Sequence, residues 1–216
     1  MVERTKARLE VGVVAVLFGL LVGACGGDDG GFDPPPPAAG DGVAFNYSGD
    51  RAGTFEAAGN PAIANGQIAP GTWAAALSTD TGFVLVGSRS ASLPLVDLFF
   101  LTVPSPVLGG STDFGGVAGG VGVVAFDFDA SVGLDPDSIL AAINPTDVYV
   151  MSEGVLTLNT LSSSRATGTV VASGPRFDAG PRLFVESGSF DVPVVDGAVL
   201  GVVAARLALE ARDRVQ

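Results

Sequence analysis

Val43-Ala-Phe-Asn-Tyr-Ser-Gly-Asp-Arg-Ala-Gly-Thr-Phe-Glu-Ala57 is the stretch that decides the fold. Val43, Phe45 and Tyr47 alternate with small or polar residues, and Phe55 and Ala57 do the same after the turn. A period of two describes a strand with one buried face. Ser48-Gly49-Asp50 is turn chemistry, so the stretch predicts a hairpin of Val43–Tyr47 against Gly53–Ala57. The pattern recurs down the chain. Thr72–Leu77 and Gly82–Ser88 flank Ser78-Thr79-Asp80-Thr81 as a second hairpin. Leu95–Val103 is a strand apolar on both faces, with Asp97 as the exception. Gly122–Asp129 alternates, with Val124, Phe126 and Phe128 on one face and Asp127 and Asp129 opposite. Val148–Ser152, Val155–Leu161, Ala166–Ala172 and Leu183–Val194 complete the strands. In the last of these the apolar parity switches, from Leu183 and Val185 to Phe190 and Val192. Gly188 lies between, which predicts a bulge or a tight turn. Residues 59–71 and 104–120 read as loop.

About ten short strands with no βαβ alternation predict an all-β domain, an antiparallel β-sandwich or barrel. One short helix is expected near 136–143: Asp135 caps it, Pro136 takes its first position, Asp137 adds an acidic first turn, and Asn144-Pro145 closes it. The chain ends in helix formers, Ala204 to Gln216. Arg206 with Glu210, and Glu210 with Arg214, stand at i,i+4 spacing. A helix from about Gly197, capped by Asp196, is expected there; extension of the last strand through Val199–Val203 is the alternative. Val199, Val203, Leu207 and Ala211 share a face of that helix. They are suited to cover the strands at 83–88 and 95–103, whose second apolar face needs a partner.

The N-terminus reads differently. Arg4, Lys6 and Arg8 precede an apolar run, Val11 to Ala24, and Cys25, the single cysteine of the 216 residues, follows it directly. A basic start, a short apolar core and small residues before a cut site describe an export signal. Fourteen apolar residues span ~21 Å as a helix, short of a ~30 Å hydrocarbon core. The segment Leu21-Val22-Gly23-Ala24-Cys25 resembles the lipobox of bacterial lipoproteins. The resemblance implies cleavage between Ala24 and Cys25, lipidation of the Cys25 thiol by acyl chains such as palmitate, and anchoring in a membrane by those chains. Two or more chains hold stably, at ~0.8 kcal/mol per buried methylene. The organisation expected is a signal peptide over 1–24, a lipidated cysteine and Gly/Asp/Pro tether over 25–42, an all-β domain over 43–195, and a C-terminal helical extension over 196–216. The four prolines at 34–37 favour an extended stretch within that tether.

Cleavage before Cys25 leaves 192 residues (216 less 24) with 8 Arg, no Lys and 21 carboxylates, a formal charge of −13. Such a chain is repelled by polyphosphate, which argues against a nucleic-acid partner. The acyl chains are then the membrane contact.

Three further stretches carry a second likeness. Phe45 to Gly59 resembles the opening hairpin of a group of bacterial lipoproteins with a small all-β domain of unknown function. Gly154 to Val170 and Val185-Glu-Ser-Gly-Ser-Phe-Asp-Val-Pro193 resemble their closing strands, which end in Gly-x-Phe-Asp-Val-Pro. About twenty residues follow Val195 here that the group lacks. The likeness brings no catalytic or binding residue with it.

There is no His in the chain, and the part after Cys25 has no Lys. That excludes Ser-His-Asp and Cys-His catalysis, Schiff-base chemistry and zinc sites built on His or Cys. The glycines at 115–122 lack the Lys of a phosphate-binding loop and the βαβ setting of a dinucleotide site. Carboxylates remain. Asp127 and Asp129, ~6–7 Å apart on one strand, have the separation of a glycosidase pair. Asp127, Asp129, Asp135 and Asp137 are candidate calcium ligands at a strand-to-helix corner, in a spacing unlike an EF-hand. The plainer account of all four is an exposed strand edge and a helix cap. Trp73 and Tyr47 suit sugar stacking if exposed, and core positions if their strands are buried. No cofactor is expected. The reading is a non-catalytic envelope lipoprotein on the outer face of a bacterial membrane, the outer membrane where the organism has one. Its β module is structural or binds a protein, glycan or other ligand. An exported carboxylate-based hydrolase and a barrel that carries an apolar ligand are the alternatives.

Overall fold

Alternation along short segments becomes sheet wherever two such segments can face each other, and ten predicted segments do so. A computed structural model of the chain describes residues 41–61, 63–64, 67–68, 71–79, 82–115, 119–132 and 144–195. The predicted helices at 136–143 and 197–215, Cys25, and the tether up to residue 40 lie outside them. The strands are β1 (Gly42–Gly49), β2 (Gly53–Ala58), β3 (Ile63–Ala64), β4 (Gln67–Ile68), β5 (Trp73–Thr79), β6 (Gly82–Ser92), β7 (Leu95–Pro104), β8 (Gly110–Gly115), β9 (Val121–Asp129), β10 (Val148–Met151), β11 (Glu153–Leu161), β12 (Arg165–Pro175) and β13 (Arg182–Pro193). Short 3-10 turns occupy Ala130–Val132 and Pro145–Asp147. Three strands are additions to the expectation. β3 and β4 pair inside the predicted loop 59–71. β8 forms inside the predicted loop 104–120, because its Ser111 and Thr112 can satisfy their backbone beside a neighbouring strand.

Two antiparallel sheets face each other as a sandwich. The first has the order β11-β12-β13-β1-β2 and the second β10-β9-β7-β6-β5. β8 runs along the outer edge of β11, where the Ser111 and Thr157 hydroxyls meet at 2.8 Å and the Gly109 N–H donates to the Leu158 carbonyl at 2.7 Å. The sheets are stitched along both sides. On one side Phe177 N–H donates to the Val148 carbonyl at 2.8 Å; on the other, Val195 N–H donates to the Ala76 carbonyl at 2.9 Å. Between the layers lies an aromatic core. Phe45 stacks on Phe55 at 4.7 Å and meets Phe99 edge-on at 5.0 Å; Phe126 meets Tyr149 at 5.9 Å. Each fully buried aromatic stabilises by about 1.5–3 kcal/mol.

The parity switch in β13 is a bulge. Val170 faces Gly188 but Ala172 faces Val185, and the slip recurs against β1 between Asn46 and Tyr47. Gly188 is required by close approach: a Cβ there would sit 2.6 Å from Val170 Cγ1.

A second bulge corrects the reading of β9. Leu98 pairs with Ala125, yet Val96 pairs with Phe128, so β9 gains a residue at Phe126–Asp127. Asp127 takes φ 54°, in the left-handed region where Asp is tolerated. Val124 and Phe126 face the interlayer core, whereas Phe128 stands opposite Val96 on the other face. The single alternating row Val124–Phe126–Phe128 therefore breaks.

Candidate functional site

The bulge in β9 is held by Asp97. Hydrophobic alternation places Phe99, Leu101 and Val103 of β7 toward the first sheet, and the same parity turns Asp97 inward. Its side chain is 11% exposed. Oδ1 accepts from the Asp127 N–H at 3.0 Å, and Oδ2 accepts from Arg89 Nε at 3.0 Å and from Arg89 Nη2. Arg89 stands directly opposite on β6 and also donates to the Thr54 carbonyl of β2, in the other sheet. Its guanidinium lies 5.4 Å over the Phe55 ring. Burial works against the Arg89 charge, and the Asp97 carboxylate more than restores it, so its pKa stays above the ordinary value. The ion pair clamps β6 to β7 within the second sheet, and Arg89 carries it across to β2 of the first.

A second polar group gathers at the β1–β2 turn. Asp50 accepts from the Tyr149 hydroxyl at 2.7 Å and from Arg176 Nη1 at 3.1 Å. Arg51 reaches Asp147 and lies 3.7 Å from Asp127, with its guanidinium 4.8 Å over the Phe126 ring. Burial, with help from Asp50, raises the Tyr149 hydroxyl above its usual value of 10.0. Elsewhere Arg165 bridges Asp191 at 2.5 Å and Asp41 at 2.8 Å, fixing the start of β1 against β12 and β13. Arg182 pairs with Glu153. Each of the five arginines among the described residues is thus held by at least one carboxylate.

Of the expected calcium ligands, Asp127 is turned to Arg51, and Asp129 Oδ1 accepts from the Ser131 N–H at 2.9 Å. Those bonds from Ser131 hold the Asp129 carboxyl below its usual range. Asp135 and Asp137 lie outside the described residues, among which no group of three His, Cys, Asp or Glu is placed to hold a metal. Trp73 is buried and Tyr47 half-buried against Phe45 and Phe126, which matches the core reading of both.

The outer face of the first sheet carries a shallow groove of about 660 Å³ across β11, β12 and β13. Its floor is Val155, Val171 and Phe184, between 37% and 49% exposed. Glu153 and Glu186 flank it. Glu153 accepts from Ser173 Oγ at 3.1 Å and pairs with Arg182; Glu186 accepts from Ser48. The groove offers an apolar floor with carboxylate acceptors beside it. The sequence reading missed both the groove and the clamp. The clamp had a signal: Arg89 and Asp97 are the single charges of β6 and β7, four and three residues from the Leu93-Pro94 turn between them. The groove had none, since its floor assembles from three strands.

No protein-family model, curated protein or solved structure matches the chain.

Proposed function

We propose that this is a lipid-anchored lipoprotein of the bacterial envelope, whose β-sandwich is a non-catalytic module with a structural or partner-binding role. The observation that carries it is Leu21-Val-Gly-Ala-Cys25, with the single cysteine of the chain at the polar edge of a short apolar run. The described domain supports it in how its charges are used: Arg51, Arg89, Arg165, Arg176 and Arg182 hold strands and turns together. The aromatic rings that fill the interlayer space take support away from an apolar-ligand carrier. The test is intact-mass analysis of the protein produced in an exporting bacterium. Acylated Cys25 as the mature N-terminus, with Cys25→Ser releasing the protein from membranes or leaving the precursor uncut, is the expected result. A mature N-terminus elsewhere, without lipid, refutes it.

One observation favours a second reading, a carboxylate-based hydrolase. The groove on the first sheet has two carboxylates at its sides, Glu153 and Glu186, and two are what glycoside hydrolysis needs. Both are engaged by neighbours, and with no His in the chain a proton donor near neutrality would have to be a strongly shifted carboxyl. Glycan, ester and peptide panels decide between the readings: no turnover above background is expected. A turnover lost in Glu153→Gln or Glu186→Gln establishes the hydrolase.

A further inference from the structure

The groove on the first sheet sits where the regular ladder is broken. Leu156, Val170, Leu183 and Val185 point into the interlayer core, so Val155, Val171 and Phe184 point outward by alternation. These three stand on neighbouring strands, ~10 Å from first to last, and remain exposed in the folded domain. The bulge of β13 adjoins them. Val185 pairs with Tyr47 and Ser187 with Asn46, so Glu186 is the extra residue of the bulge. Against β12, Val170 pairs with Gly188 and Ala172 with Val185, which leaves Val171 opposite Glu186 and Ser187. A bulge re-aims side chains, and this one sets a carboxylate at the edge of the apolar floor.

The charges at the rim do not balance. Arg182 offsets Glu153. Glu186 accepts from the Ser48 hydroxyl, and none of the arginines among the described residues pairs with it. The groove therefore carries net negative charge beside exposed carbon. Its donors are spent within the rim: the Ser48 hydroxyl on Glu186, the Ser173 hydroxyl on Glu153, and Arg182 Nη2 on Ser173 Oγ at 2.9 Å. Carboxylate oxygen is what remains for a ligand. We infer that the groove binds a partner protein through a short extended segment in which one arginine or lysine is flanked by apolar side chains. The inference rests on the partner-binding reading of the module and not on the lipid anchor. Three extended residues cover ~10 Å, the width of the floor. The apolar side chains cover Val155, Val171 and Phe184, and the cation meets Glu186 with its alkyl stem laid on the floor. An acidic segment is repelled by Glu186 and by a chain of net charge −12. A neutral glycan needs donors as well as acceptors, and the donors here are engaged.

The test titrates the isotope-labelled Cys25→Ser chain with acetyl-Leu-Arg-Leu-amide and follows the backbone amide resonances. Acetyl-Leu-Glu-Leu-amide, acetyl-Gly-Arg-Gly-amide and a chitin trisaccharide are the comparisons. Saturable shifts confined to β11, β12, β13 and the Ser48 end of β1 are expected with the first peptide, and binding weaker by about tenfold or more with the other three. Glu186→Gln is expected to weaken the first peptide by about fivefold, as is a rise in ionic strength from about 0.05 to about 0.5 M. Phe184→Ala is expected to weaken it several-fold. Glu186→Gln is isosteric and exposed, so it carries the test if Phe184→Ala lowers Tm. No saturable shift at the groove, equal binding of the acidic peptide, tighter binding of the trisaccharide, or a Glu186→Gln chain that binds as before overturns the inference. None of these outcomes touches the anchor, which intact mass reads separately.

Discussion

Asp97→Ala removes the acceptor that holds Arg89 in place and pins the bulge of β9. In the folded chain Asp97 takes two hydrogen bonds from Arg89 and one from the Asp127 N–H. Losing charge-assisted bonds of this kind costs about 1.5–3 kcal/mol, and leaving the Asp127 N–H without a partner costs about 1–3 more. The Arg89 side chain remains 27% exposed, so water recovers part of its lost partner. The cost then falls to about 3 kcal/mol, at the low end of the range for breaking a buried pair. For a chain of this size that is a fall in Tm of roughly 6–12 °C. Asp97→Asn keeps the shape and an oxygen for the Asp127 N–H, so it is expected to lose about half as much. Urea denaturation and thermal melting of the Cys25→Ser chain measure both, and a double-mutant cycle with Arg89→Ala gives the coupling. A coupling of about 1–3 kcal/mol is expected for side chains in direct contact. A cost below about 1 kcal/mol for Asp97→Ala, or additive single effects, refutes the clamp.

Other consequences are as direct. Gly174→Ala places a methyl on the Val150 carbonyl oxygen, where β12 packs against β10; a loss of about 3 kcal/mol, or failure to fold, is expected in urea melts. Phe55→Ala, at a fully buried ring, is expected to cost about 3–5 kcal/mol. Phe184→Ala, on the exposed groove floor, is expected to stay within about 1 kcal/mol; equal costs in the same melts would contradict the two-layer packing. The Tyr149 proton is held more tightly folded than unfolded. Its contribution is therefore full below pH 10 and is lost as the pH rises through the higher folded value. The absorbance step near 295 nm that disappears in Tyr149→Phe should have its midpoint above 10, and a midpoint at or below 10 removes the buried bond to Asp50.

All ten strands anticipated from alternation and turn residues are present, and so is the bulge beside Gly188. Local chemistry suffices there, because a strand's two faces are written in its own residues and Gly tolerates contacts that a Cβ does not. Elsewhere it does not suffice. β8 has little apolar content and becomes a strand only because the edge of β11 is beside it. The break in β9 is invisible in Val124–Phe126–Phe128, because the Asp97 carboxylate that holds it lies thirty residues away in sequence.

The sequence by itself determined the all-β class, the hairpins, the lack of His-based and Lys-based chemistry after Cys25, and the expectation of a lipid anchor. These follow from residue type and spacing along one segment. Tertiary structure alone decided that two separate sheets form a sandwich, that Arg89 pairs with Asp97 and reaches the Thr54 carbonyl of the other sheet, and that Val155, Val171 and Phe184 share a groove. It also decided that Asp127 lies beside Arg51. Each depends on register and on which strands become neighbours. Those are set by the free energy of burying a whole face at once, and no single segment contains that quantity.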